Sequence, residues 1–132
     1  MELIFVAGPY GTDPEIKEAR AKLIAQVCIN LMSAGKIAIS PLIYGLGLIC
    51  IAESDLPDTF GVWDLFCTTF VEASKKFYVV DMIGWQMSNG LKAEMLKAYE
   101  LKIPIFLVDP VTLEEKKSLE GLCKLLSILP GK

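Results

Sequence analysis

Residues 3–7, Leu-Ile-Phe-Val-Ala, form an unbroken apolar run that Gly8-Pro9-Tyr10-Gly11 cuts short. A strand with one wet face alternates polar and apolar residues, and this one does not. It therefore reads as a strand covered on both faces, which is the signature of a parallel sheet with helices above and below. The pattern then repeats along the chain. Asp13 is placed to cap a helix with Pro14 in its first position, Ile16, Ala19, Leu23, Val27 and Leu31 recur at helical spacing, and Gly35 ends it. Residues 36–40 read as a second strand and 60–74 as a helix, with Phe60, Trp63, Phe66, Phe70 and Ala73 on one stripe. Residues 77–82 read as a third strand, and a helix capped at Ser88 runs to about Lys102. Residues 103–108 read as a fourth strand, after which Thr112 and Glu115 form a capping box for a last helix. The Gly-containing stretch 42–52 fits either a helix or a packed loop, and the acidic stretch 53–58 reads as a surface loop. Strands alternating with helices of this length predict an α/β fold. The expected architecture is a Rossmann-like three-layer sandwich, with a mainly parallel sheet of about four or five strands and helices on both faces. At 132 residues the chain is expected to form one domain, residues 1–132.

The residue inventory narrows the chemistry. Histidine is absent, so Ser-His-Asp and Cys-His nucleophile pairs, imidazole bases and most catalytic zinc sites are excluded. Acidic residues outnumber basic ones by 16 to 13 and Arg20 is the only arginine, which argues against a nucleic-acid groove. Cys28, Cys50, Cys67 and Cys123 are scattered singly in apolar stretches and read as reduced core residues of a cytoplasmic protein. No metal site and no cofactor are expected, and neither a signal peptide nor a membrane span is supported. A mean hydropathy of +0.47 is high for a small chain and predicts a homo-oligomer, a dimer or larger.

In an open parallel sheet the ligand crevice lies beyond the carboxyl ends of the strands. That edge should gather Gly8, Pro9, Tyr10 and Gly11 after the first strand, Ser40 after the second, Asp81 and the 84–90 loop after the third, and Asp109 after the fourth. On the helix after the third strand, 100° steps from Leu91 put Ala98, Met95, Leu101 and Tyr99 on one arc, and Glu94 falls between Ala98 and Leu101. A carboxylate in an apolar arc is costly unless it is paired, hydrogen-bonded or used. The competing reading pairs Glu94 with Lys97 in solvent. Ser88-Asn89-Gly90 sets a hydroxyl and free amides at a helix N-terminus, suited to a phosphate or sugar hydroxyl and equally to plain capping. Gly8-Pro9-Tyr10-Gly11 matches neither the dinucleotide fingerprint nor the P-loop and fits a tight turn as well. Asp81, Glu72 and Asp64 are further acidic candidates. Trp63 and Trp85 can stack on a base or simply pack, and Arg20 can reach a phosphate or remain a solvated flank.

Taken together, Ile4-Phe5-Val6-Ala7-Gly8-Pro9-Tyr10, then Asp81, Gly84-Trp85, Ser88, Gly90 and Glu94, then Ala98 and Pro104, resemble the nucleoside 2-deoxyribosyltransferase superfamily. The resemblance is strongest to a small bacterial branch sharing Gly-Trp-x-x-Ser-x-Gly-x-x-x-Glu, and the superfamily includes deoxynucleoside monophosphate N-glycosidases. It implies a Rossmann-like sandwich, oligomers, no metal or cofactor, and a small-molecule nucleoside or nucleotide as partner. It also implies Glu94 as the nucleophile at the anomeric carbon and Ser88 as the residue binding the sugar hydroxyl or 5′-phosphate, with Gly90 matching the small residue between them in the substrate site. An acidic residue near the leaving base falls, by spacing to Asp81, on Glu72, with Asp64 as the alternative because the relatives carry Asp; Gly8, Pro9, Tyr10, Asp81, Trp85 and Asn89 complete the expected substrate site. Many active relatives carry a tyrosine in the first strand, where this chain has Ile4 and Phe5, so Tyr10 would have to replace it.

An adjacent carboxylate can trap the oxocarbenium-like centre formed when an N-glycosidic bond breaks, as retaining glycosidases do. The expected activity is therefore cleavage or transfer at such a bond, as a hydrolase with water or a transferase with a second base. The helix N-terminus and the Ser88 hydroxyl are expected to keep Glu94 ionised. The alternative is a catalytically silent nucleotide-binding or partner-binding module on the same fold.

Overall fold

The computed structural model describes residues 2–11, 13–57 and 61–129. Phe60 and Asp58, assigned above to a helix and a loop, lie outside the described residues. The elements run β1 (Leu3–Ala7), α1 (Pro14–Ser33), β2 (Ile37–Ile39), α2 (Pro41–Ala52), α3 (Val62–Ala73), β3 (Lys76–Val80), α4 (Asn89–Glu100), β4 (Ile105–Val108), β5 (Glu115–Ser118) and α5 (Glu120–Ile128). One 3-10 turn, Trp85–Met87, leads into α4. The sheet order is β2-β1-β3-β4-β5, with every pairing parallel except β4 with β5. The apolar runs of β1, β3 and β4 make strands whose two faces are both covered, while the edge strand β2 leaves Ile37 exposed. Ile4, Val6, Tyr78 and Val80 pack on Ile24, Val27 and Leu31 of α1. Phe5, Ala7, Phe77 and Val79 pack on the opposite side with Val71 of α3, Leu91, Met95 and Ala98 of α4, and Cys123 of α5. This is the expected α/β sandwich with helices on both faces.

The local signals act as read. Asp13 Oδ1 accepts hydrogen bonds from the Glu15 and Ile16 N–H groups at 3.0 and 3.3 Å, so α1 begins where the cap and Pro14 placed it. The ambiguous stretch after Ser40 is helix α2, with the Ser40 hydroxyl accepting from the Ile43 N–H at 3.4 Å.

Two expectations are corrected. Thr112 and Glu115 do not open the last helix. Asp109 Oδ1 instead caps a turn by accepting from the Val111 and Thr112 N–H groups at 2.8 and 2.9 Å, and the chain returns antiparallel to β4 before α5 starts at Glu120. Pairing on the open edge of β4 satisfies a row of backbone groups that a helix there would leave unpaired. Glu115 is thereby brought to Lys76 at 2.9 Å and to the Tyr78 hydroxyl at 2.6 Å. The cysteines are all free thiols, but only Cys123 is buried; Cys28 and Cys67 are half-buried and Cys50 is exposed on α2.

Candidate active site

The chain runs from β1 to β2 on one side and then crosses back to form β3 on the other side of β1. The strand order thus reverses between β1 and β3, and a crevice is forced open beyond their carboxyl ends because the connections leave in opposite directions. A cavity of about 1050 Å³ lies there. Its walls are the loop after β1 (Gly8, Tyr10, Gly11), the loop and helix start after β3 (Gly84, Ser88, Asn89, Gly90), one face of α3 (Trp63, Asp64, Cys67, Thr68) and Glu94 of α4.

Glu94 stands in this crevice, half-buried. The ion pairs among the described residues are Glu18 with Lys22, Lys76 with Glu115 and Asp81 with Lys116, and Glu94 takes part in none of them. The solvent pair with Lys97 does not form, although Lys97 also lines the crevice. Burial, and then the negative charge of Asp64, push the Glu94 carboxyl up to about 7. The expectation that Ser88 and the helix N-terminus keep it ionised is corrected here. The Ser88 hydroxyl caps α4, accepting from the Leu91 N–H at 3.2 Å, and among the described residues it makes no hydrogen bond to Glu94, so desolvation dominates. Burial, Glu94 and Asp64 together push the neighbouring Cys67 thiol up to about 12, so it stays protonated and is no thiolate nucleophile.

Other candidates separate. Asp64 and Glu72 are both exposed, but Asp64 lines the crevice and Glu72 does not. Pro9 is fully buried, and Trp85, 5% exposed, belongs to the core beside Leu91 and Met95. Asp81 faces a separate, smaller hollow of about 430 Å³ and is ion-paired with Lys116. Lys116 reaches it only because β5 folds back along β4, a pairing that local sequence did not announce. A Cβ at Gly8 would sit 2.9 Å from the end of the Ile24 side chain, which would have to shift to admit it.

Arg20 is the main residue that sequence reasoning misplaced. It is no solvated flank: its guanidinium donates to the Tyr10 carbonyl and to the Ile83 carbonyl, each at 3.2 Å, tying the loop after β1 to the loop after β3. Gly11 and Gly84 both adopt φ of +89°, and a Cβ on Gly84 would lie 2.6 Å from the guanidinium. Glycine is required there by conformation and by space alike. A sequence signal did exist on α3, where Asp64, Cys67, Thr68 and Val71 recur at helical spacing as a face distinct from the aromatic stripe.

The fold and crevice define an α/β domain with a carboxylate-bearing site at the switch point of a parallel sheet. A family model described as a domain of unknown function, DUF1937, matches residues 2–109, and the chain belongs to that family. No curated protein matches the chain. Among solved structures it is similar to the 2-deoxyribosyltransferase of the psychrotolerant bacterium Bacillus psychrosaccharolyticus, with 18% identity and a TM-score of 0.52. That similarity covers 83% of this chain and 74% of the other, and the two share the fold. Among the described residues no helix is long and apolar enough to cross a membrane.

Proposed function

We propose that the protein cleaves or transfers at the N-glycosidic bond of a nucleoside, nucleotide or similar ribosylated compound, with Glu94 as nucleophile. The observation that carries this reading is a carboxyl group in the switch-point crevice with no cation paired to it among the described residues, and a second carboxylate, Asp64, close enough to raise its proton affinity. A structural glutamate would gain from a partner; this one is held at a cost, which is characteristic of groups kept for chemistry. The fold shared with an enzyme described for nucleoside synthesis supports the substrate class. In the reaction, a Glu94 oxygen bonds to the anomeric carbon as the C–N bond breaks and its electron pair passes to the base nitrogen. Asp64, rather than Glu72, orients the departing base or supplies its proton. Water or a second base then attacks the same carbon and releases Glu94 as a carboxylate. Ser88, Asn89 and Gly90 meet the sugar or its 5′ substituent, and Tyr10 stands on the opposite wall. Neither metal nor cofactor enters these steps.

A second reading, binding without turnover, is favoured by β1. Ile4 and Phe5 are core residues, 3% and 1% exposed, and Phe5 stacks on Phe77 with ring centroids 4.9 Å apart, so neither brings a hydroxyl to the crevice. Incubation with a panel of nucleosides and their 5′-monophosphates, followed by chromatography for free base, separates the two. Base release from at least one compound is expected; ligand binding with no release from any would select the silent module.

The same proposal includes a homo-oligomer, a dimer or larger, assembled through α2 and α3. Helix α2, Pro-Leu-Ile-Tyr-Gly-Leu-Gly-Leu-Ile-Cys-Ile-Ala, carries no charge, yet Tyr44, Leu48 and Ile51 are 50, 42 and 87% exposed, and Leu65 of α3 is 67% exposed. A helix apolar all round is normally covered all round. Light scattering at micromolar concentration should give at least twice the 14.5 kDa chain mass; a 14.5 kDa species alone refutes the oligomer.

A further inference from the structure

The α3 wall of the crevice carries an aromatic surface for which the steps above have no use. Trp63 precedes Asp64 on α3, lines the same cavity as Glu94, and is half-buried, unlike the core residue Trp85. Its indole is held from two sides. It stacks on Phe66 at a centroid distance of 5.1 Å and an interplanar angle of 9°, and Phe66 stacks in turn on Tyr44 of α2 at 5.5 Å and 7°. The far edge of the indole rests over Gly45 of α2, where a Cβ would lie 2.7 Å from Trp63 Cη2 and 3.1 Å from the Leu56 side chain. Position 45 thus has room for the indole only because it bears no side chain. A packing tryptophan would be satisfied by Phe66 and α2 alone. This one also lines the crevice, next to the acidic residue assigned to the departing group.

We propose that Trp63 is the platform on which the leaving base stacks, so that the site selects a planar aromatic leaving group. The inference rests on the glycosidic reading of Glu94 and Asp64 for the word leaving, but the platform itself is a binding site that can be tested without turnover. Aromatic faces prefer offset stacking, and a ring already immobilised by Phe66 and Gly45 loses little freedom when a base settles on it. Such a surface accepts purines and pyrimidines alike, because stacking reads the π-face and not the hydrogen-bonding edge. Choice between bases would then fall to Asp64.

The test uses the whole protein and free bases as probes: adenine, and the pair uracil and 5,6-dihydrouracil, which share a hydrogen-bonding edge but differ in planarity. Binding is followed by saturation-transfer NMR and by tryptophan fluorescence, in which Trp63 is the ring open to the crevice. Adenine and uracil should bind and quench the emission, and uracil should bind more tightly than dihydrouracil. Trp63→Leu should weaken adenine and uracil about tenfold or more and erase the preference over dihydrouracil, while Trp63→Phe should retain most of the affinity. Equal binding by wild type and Trp63→Leu overturns the proposal, as does failure of every base to bind. Should Trp63→Leu not fold, the wild-type preference and quenching decide, and binding without either overturns it. Bases bound through Trp63 with no glycosidic cleavage would sink the catalytic reading and leave the platform standing. Cleavage with the same KM in wild type and Trp63→Leu would sink the platform alone.

Discussion

Glu94→Gln is expected to abolish base release while making the protein more stable at alkaline pH. The amide keeps the shape of the side chain but cannot bond to the anomeric carbon, so activity falls to background. The stability change follows from the sign of the shift. The carboxyl is raised from 4.5 to about 7 in the folded state, so between those values the folded protein binds more protons than the unfolded chain, and its stability falls as pH rises. Above pH 7 the full cost is on the order of 3 kcal/mol, and the neutral amide avoids it. Urea denaturation at pH 8 should therefore show Glu94→Gln above wild type, with the difference closing as pH falls to 4.5. The activity of wild type should rise with pH through about 7, as Glu94 loses its proton. Asp64→Asn should move that midpoint down, since the negative charge of Asp64 is the second cause of the shift. Wild-type turnover in Glu94→Gln would end the nucleophile assignment. Equal stability of the two proteins at pH 8 would show that the carboxyl is not desolvated.

Trp85→Ala should destabilise the fold by about 3–5 kcal/mol, the usual cost of removing a large aromatic from a packed core. Trp85 is 5% exposed among Leu91, Met95 and Ala98, in the turn that delivers Ser88 to the head of α4. The loss is a large share of a typical domain's stability of about 5–15 kcal/mol and should shift the urea midpoint strongly. Trp85→Phe, which keeps an aromatic ring in the core, should recover most of it. A substrate-stacking tryptophan would behave in the opposite way, with weaker ligand binding and an unchanged midpoint. An unchanged midpoint in Trp85→Ala would return this residue to the substrate site.

What could be read from sequence was the chemistry that acts over a few residues. An apolar run without alternation demands cover on both faces, which is why β1 and β3 were legible as buried strands. Asp13 with Pro14, and Ser88 before Leu91, satisfy orphan amides within one turn, so those helix starts followed from sequence as well. Glu94 stood out for the same kind of reason, because its angle on a single helix set it in the apolar arc. Partners distant in the chain were decided by topology. Asp81 left the crevice because β5 returned antiparallel and carried Lys116 to it, thirty-five positions away. Arg20 came to bridge Tyr10 and Ile83 because the reversal of strand order sets the loops after β1 and β3 side by side. Asp64 and Glu72 are both acidic and both on α3, and spacing to Asp81 favours Glu72. Both are exposed, and only the docking of that helix against α4 sets Asp64 at the crevice wall and leaves Glu72 away from it, because a helix face acquires its meaning from what it packs against.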